Sequence, residues 1–161
     1  MKTGKENRFR VTAALEMAVA FGIVAFWTAF FTADLVGIED GRLKDVYLAY
    51  ESAFPPADLC LAGLLAAAGI ALWRGKRSGA LLSLLGGSCL VFLGLLDVSF
   101  NAQQGLYALG LSEAVMNIGI NGACLGLGTL LILKFAKTTV PARGGETGGD
   151  AGLGRAARKR P

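Results

Sequence analysis

Four long apolar stretches, separated by short charged connections, leave this chain few ways to fold. They cover residues 11–36, 56–73, 79–100 and 112–135. Each comes close to or exceeds the about 20 helical residues that cross a hydrocarbon layer of about 30 Å. Lipid offers no partner to a backbone N–H or C=O, so a stretch that crosses it must satisfy its own groups as a helix. A water-soluble domain of 161 residues has too little interior to hide them, since 53% of the residues are hydrophobic and 23 more are glycine. The expectation is an all-α fold, a transmembrane four-helix bundle running up-down-up-down. The first stretch is longer than the apolar core of a signal peptide, and it reads as an uncleaved span.

Orientation follows from charge. All but two of the 16 lysines and arginines lie on one side of the spans. Lys2, Lys5, Arg8 and Arg10 precede the first span, Arg74, Lys76 and Arg77 join the second to the third, and the rest follow the fourth. Basic flanks mark the cytoplasmic side. Both termini are therefore expected in the cytoplasm, in a multi-pass protein of the cell (plasma) membrane. The expected parts are a basic N-terminus (1–10), the transmembrane domain (11–137), and a basic tail (138–161) whose glycines and lack of periodicity predict disorder. The net charge of +4 forms no basic stripe with interleaved aromatics, so nucleic acid is not an expected partner. The lipid bilayer is.

Several chemistries lack their raw material. No histidine is present, which removes histidine triads, the usual zinc sites and histidine-ligated haem. Cys60, Cys89 and Cys124 each sit inside an apolar run without a C-x-x-C pair, and read as small hydrophobes. No cofactor is expected, and no metal-ligand spacing matches a known loop.

The first outer loop carries Leu43, Val46, Tyr47, Tyr50 and Phe54 at helical spacing, with Asp40 placed to cap the start. A short amphipathic helix there would anchor at the headgroups or cover a cavity. Small-residue pairs at Ala18/Gly22, Gly63/Ala67, Ser83/Gly87, Gly119/Ala123 and Gly122/Gly126 allow close helix approach.

Ionisable groups inside a span are costly and point to function. Glu16, Asp34, Glu51, Asp58, Asp97 and Glu113 lie in or beside the spans, and all but Glu16 fall toward the outer surface. Asp58 and Glu113 open helices, where an acid suits the positive end of the dipole and reads as a cap. Asp34 and Asp97 close helices instead, where an anion is disfavoured and needs a partner. Asn117 and Asn121 continue from Glu113 down one helix face, and Asn101 lies one turn beyond Asp97. Glu16 and Asp34 are five turns apart on a face that also carries Trp27. The candidate ligand-binding residues are therefore Trp27, Asp34, Asp97, Asn101, Glu113, Asn117 and Asn121. No catalytic residue is assigned.

The stretches F-P-P-A-D-L-C-L-A-G (54–63) and G-L-L-D-V-S-F-N (94–101) resemble small four-span integral membrane proteins of prokaryotes, a likeness that implies no activity. Glu16 invites comparison with small multidrug exporters, from which the charge bias and the added outer acids depart. The sequence reading is an outward-facing acidic pocket for a cation or a cationic or polar small molecule, in binding or transport. Two alternatives stand beside it: an accessory subunit seated on a membrane partner, with Arg42 or Lys44 neutralising the acids, and an acid–base enzyme acting on a lipid-like substrate.

Overall fold

A computed structural model describes residues 3–33 and 38–139. Asp34 and the tail from Val140 onward, where the expected disorder falls, lie outside the described residues. Five α-helices and one short 3-10 turn make up the described chain, with no strand among those residues: α1 (Thr3–Thr32), α2 (Gly41–Glu51), α3 (Phe54–Trp73), α4 (Ser78–Gln104), the turn Leu106–Ala108, and α5 (Leu111–Thr139). Helices α1, α3, α4 and α5 are each long and apolar enough to cross a membrane. α1 begins well ahead of its apolar run, and α5 continues two residues into the expected tail.

Much of the apolar surface faces outward. Phe21, Phe31, Phe92 and Leu133 are all more than three-fifths exposed, an arrangement that water would penalise and lipid favours. Hydroxyls on the helices turn back onto their own backbones: Thr28 donates to the Val24 carbonyl at 2.8 Å, Ser88 to Leu84 at 3.0 Å and Ser99 to Leu95 at 2.8 Å. Each polar group is thus satisfied without water.

The helices end where the chain chemistry says they should. Pro55 and Pro56 occupy the first turn of α3, where missing N–H groups cost nothing. Gly75, at φ 67°, closes α3 with paired bonds, Gly75 N–H to Leu72 O at 3.0 Å and Lys76 N–H to Ala71 O at 2.8 Å. This tight turn leads straight into α4.

Packing runs in the series α1–α3–α4–α5, and α1 and α5 scarcely approach each other along their backbones. The bundle is an open ring. Its core is built on Leu65, Leu90, Leu131 and Phe135, all fully buried. At one end, here the base, Phe9 of α1 stacks on Phe135 of α5 with ring centroids 6.1 Å apart, and the Lys134 ammonium donates to the Thr12 hydroxyl. Above that clasp the two helices leave a gap. Among the small-residue pairs, Ser83 and Gly87 do face a neighbouring helix, whereas Gly22, Gly63, Gly119, Gly122 and Gly126 meet open space. The seams instead close at Gly69, Gly79, Gly86, Gly87, Gly94 and Gly128. A spacing motif identifies a small face without saying which way it turns.

Candidate functional site

Opposite the base, the end called here the mouth gathers the polar residues of the bundle. α2 forms as its pattern predicts: the Asp40 side chain accepts from Leu43 N–H at 2.9 Å. It folds over the mouth and does not merely skirt it. Tyr50 stacks face to face on Phe100 of α4, centroids 3.6 Å apart, and packs against Phe54 at 4.7 Å. That packing turns Tyr47 and Glu51 inward, and Glu51 is only 9% exposed.

Beneath α2 lies a cavity of about 460 Å³. Its polar wall is formed by Glu51 of α2, Asp58 of α3, Asp97 of α4, and Asn117 and Asn121 of α5. Its remaining walls are apolar, drawn from α1, α3, α4 and α5, and no basic side chain lines it. Arg42 and Lys44, which the accessory-subunit alternative has neutralising the acids, are not among its lining residues.

Two of the acids, Asp58 and Asp97, are held by neutral donors. The Trp27 indole N–H donates to Asp58 Oδ2 at 2.9 Å, across from α1 to α3. Trp27 is 4% exposed, ringed by Phe26, Phe30 and Phe31 at 5.2–5.9 Å. Asn101 Nδ2 donates to Asp97 Oδ2 at 3.2 Å and reaches Asn117 Oδ1 at 3.4 Å, while Asn121 donates to the Tyr107 hydroxyl at 3.3 Å. Tyr47 and Glu51 lie side by side on the same cavity wall. Three carboxylates, drawn from three helices, are near enough for their charges to act on one another. One acceptor is left over. Asn101 is fully buried, and its Oδ1 has no hydrogen-bond partner among the described residues. Turning the amide over would set that oxygen against the Asp97 carboxylate, so the surplus acceptor is a property of the site.

The expected site residues divide accordingly. Asp97, Asn101, Asn117 and Asn121 come together, and Trp27 supports them through Asp58. Asp34 lies outside the described residues, as does the Glu113 side chain. Two expectations need correction. Asp58 does not cap α3, because that helix already starts at Phe54 and Asp58 stands in its second turn. Asp97 is not at the end of α4, which runs on to Gln104, so it sits two turns in, beyond the reach of the terminal partial charge. Asp58, Glu51 and Tyr47 lie outside the expected set. Asp58 enters on the second turn of α3 with its bond from Trp27, and the inward packing of α2 on Phe100, far along the chain, brings in the other two.

Glu16 stays apart from this cavity. It is fully buried nearer the base, with Ser83 beside it and the Lys134 charge acting on it. The Ser83 hydroxyl is committed to the Gly79 carbonyl at 2.8 Å, and the Glu16 oxygens accept no well-formed hydrogen bond. The base is basic as the mouth is acidic: Arg10, Arg74, Lys76 and Arg77 surround a hollow there, with the Arg10 guanidinium 5.7 Å from the Trp73 ring centre.

The Trp27–Asp58 bond yields a direct prediction. Trp27→Phe removes the donor and leaves a half-buried carboxylate short of a hydrogen bond, a loss of about 1.5–3 kcal/mol for a bond to a charged group. In unfolding experiments in detergent, Trp27→Phe is expected to cost that amount in the native background and clearly less when Asp58→Asn is already present. Equal losses in both backgrounds would show that the ring's bulk, and not its N–H, is what matters.

Among the described residues no three carboxylate or thiol side chains converge closely enough to hold one metal ion. No known protein-family model, curated protein or solved structure matches this chain.

Proposed function

We propose that this is a multi-pass protein of the plasma membrane, up-down-up-down with both termini in the cytoplasm, whose mouth opens outward and binds a cationic or polar small molecule. The orientation rests on the basic residues clustered around the base and on the acidic character of the opposite end. The observation that carries the binding reading is the cavity wall itself. Three carboxylates from three helices face one space, without a basic side chain among its lining residues. Removing charge from water is costly, and a cluster of one sign at a lipid-embedded site is offset by a ligand of the other.

The test uses purified protein in detergent and butylammonium as the probe. A ligand that binds only the folded state adds stability in proportion to the logarithm of its saturation, about 2.7 kcal/mol at one hundred times Kd. The native chain is expected to melt higher with butylammonium, and the Asp97→Asn and Asp58→Asn variants to show little of that gain. Equal response in native and variant protein would overturn the proposal.

One observation favours a second reading, an accessory subunit. Gly119, Gly122 and Gly126 line an outward strip of α5 where an added Cβ meets nothing among the described residues, the kind of face on which a partner helix packs closely. Co-purification with one fixed membrane partner, lost on Gly122→Leu, would support it.

A further inference from the structure

The cavity has a polar wall and an apolar flank. The acids and amides form the first. The flank lies between the outer helices, where Leu15, Ala18 and Gly22 of α1 and Ile120, Ala123 and Cys124 of α5 line it. These helices are the two ends of the packing series, clasped at the base through Phe9 and Phe135 and barely touching elsewhere. Small residues therefore border a gap that is otherwise unfilled: a Cβ added to Gly22 meets no atom within 4 Å. Leu15, Gly22, Ile120 and Ala123 are themselves exposed on the flank of the bundle. A gap between two membrane-crossing helices opens onto hydrocarbon, not water.

We propose that the ligand is a membrane-dissolved amphiphile with an ammonium head and a single hydrocarbon body, which enters sideways from the bilayer between α1 and α5. This rests on the acidic pocket proposed above, and it specifies what fills it. The head replaces its hydration with Glu51, Asp58 and Asp97, with the Asn117 and Asn121 side chains on the same wall. The body lies along the apolar walls, where it displaces lipid and costs no exposure to water. The volume of about 460 Å³ fits a molecule of that size and is far too small for an added protein helix. An anionic or zwitterionic lipid is disfavoured by the three acids, and an uncharged one leaves them unneutralised.

The test places the full chain in lipid nanodiscs with a dodecylamine analogue carrying a photoreactive group in mid-chain, and reads the adducts by peptide mass spectrometry. Adducts are expected on α1 and α5 around Gly22 and Ile120. Unlabelled dodecylamine should suppress them at least tenfold, whereas dodecanol and dodecanoate should not. Gly22→Phe fills the gap and is expected to cut labelling at least tenfold, while Gly63→Phe, on an equally open glycine of α3 away from the cavity, leaves it unchanged. Asp97→Asn should cut labelling as well.

The outcomes separate the two proposals. If butylammonium still stabilises the native chain through Asp97 while the long-chain probe labels all four lipid-facing helices alike, the sideways route is wrong and the acidic pocket stands. If neither amine depends on Asp97 or Asp58, both proposals fall. Labelling that survives Gly22→Phe undiminished would also overturn the entry between α1 and α5.

Discussion

Replacing Lys134 by Met is expected to destabilise the protein by about 2–4 kcal/mol, the combined loss of a hydrogen bond from a charged group and of two ring contacts made by the same ammonium. The clasp between α1 and α5 concentrates several roles on this one side chain. Its ammonium donates to Thr12, lies 5.4 Å and 5.5 Å from the ring centres of Phe9 and Phe135, and acts on the fully buried Glu16. Each ring contact adds about 0.5–2 kcal/mol, the higher figure applying where the cation is desolvated. Methionine keeps the stem and its packing, so the loss reports charge and not volume. A double-mutant cycle isolates the Glu16 share. Lys134→Met in a Glu16→Gln background should cost clearly less than in the native one, with a coupling of about 1–3 kcal/mol. Unfolding midpoints in detergent decide it, and identical losses in both backgrounds would show that Glu16 is not balanced by Lys134. A broken clasp should also let α1 and α5 splay, because little else joins them.

How much of this could be read along the chain depends on how local each cause is. The four spans are local: apolarity over some twenty residues is a property of the segment, and lipid leaves the helix as its only form. The cap at Asp40 is local too, and α2 starts where it predicts. Helical periodicity correctly set Asp97 with Asn101, and Asn117 with Asn121, because residues four apart share a face whatever the surroundings. That Trp27 and Glu16 turn inward follows from the same rule together with the cost of exposing a charge to lipid. The errors begin where partners are distant in sequence. Asp58 resembles a cap in its local string, but two prolines before it had already begun the helix, and its partner is an indole on α1. Glu51 resembles a loop charge until Tyr50 finds Phe100 and rotates α2 over the mouth. The gap between α1 and α5 is the least legible feature of all, since it is made by the order in which helices pack, and no single segment encodes that order.

Gly128 carries the second large effect. A Cβ built at Gly128 would stand 2.7 Å from the Gly87 carbonyl oxygen and 2.8 Å from a Val91 methyl, and one built at Gly87 would stand 2.9 Å from the Gly128 oxygen. The two backbones touch. A carbonyl oxygen within a helix cannot move aside as a flexible side chain can, so any larger residue pushes α5 away from α4 along its length. Overpacking commonly costs about 1–3 kcal/mol, and more when the obstacle is backbone. Association in lipid depends on such contact, because lipid competes equally for apolar surface. Gly128→Leu is therefore expected to cost at least about 3 kcal/mol, or to prevent recovery of folded protein. Gly126→Leu, half a turn away on the same helix and facing open space, should leave the unfolding midpoint nearly unchanged. The pair matters for the site as well as the fold. The α4–α5 seam sets Asn117 and Asn121 against Asp97 and Asn101, so a milder wedge, Gly128→Ala, should weaken butylammonium binding by more than its stability loss alone accounts for. Full binding in a Gly128→Ala protein of reduced stability would show that the acids hold their geometry without that seam.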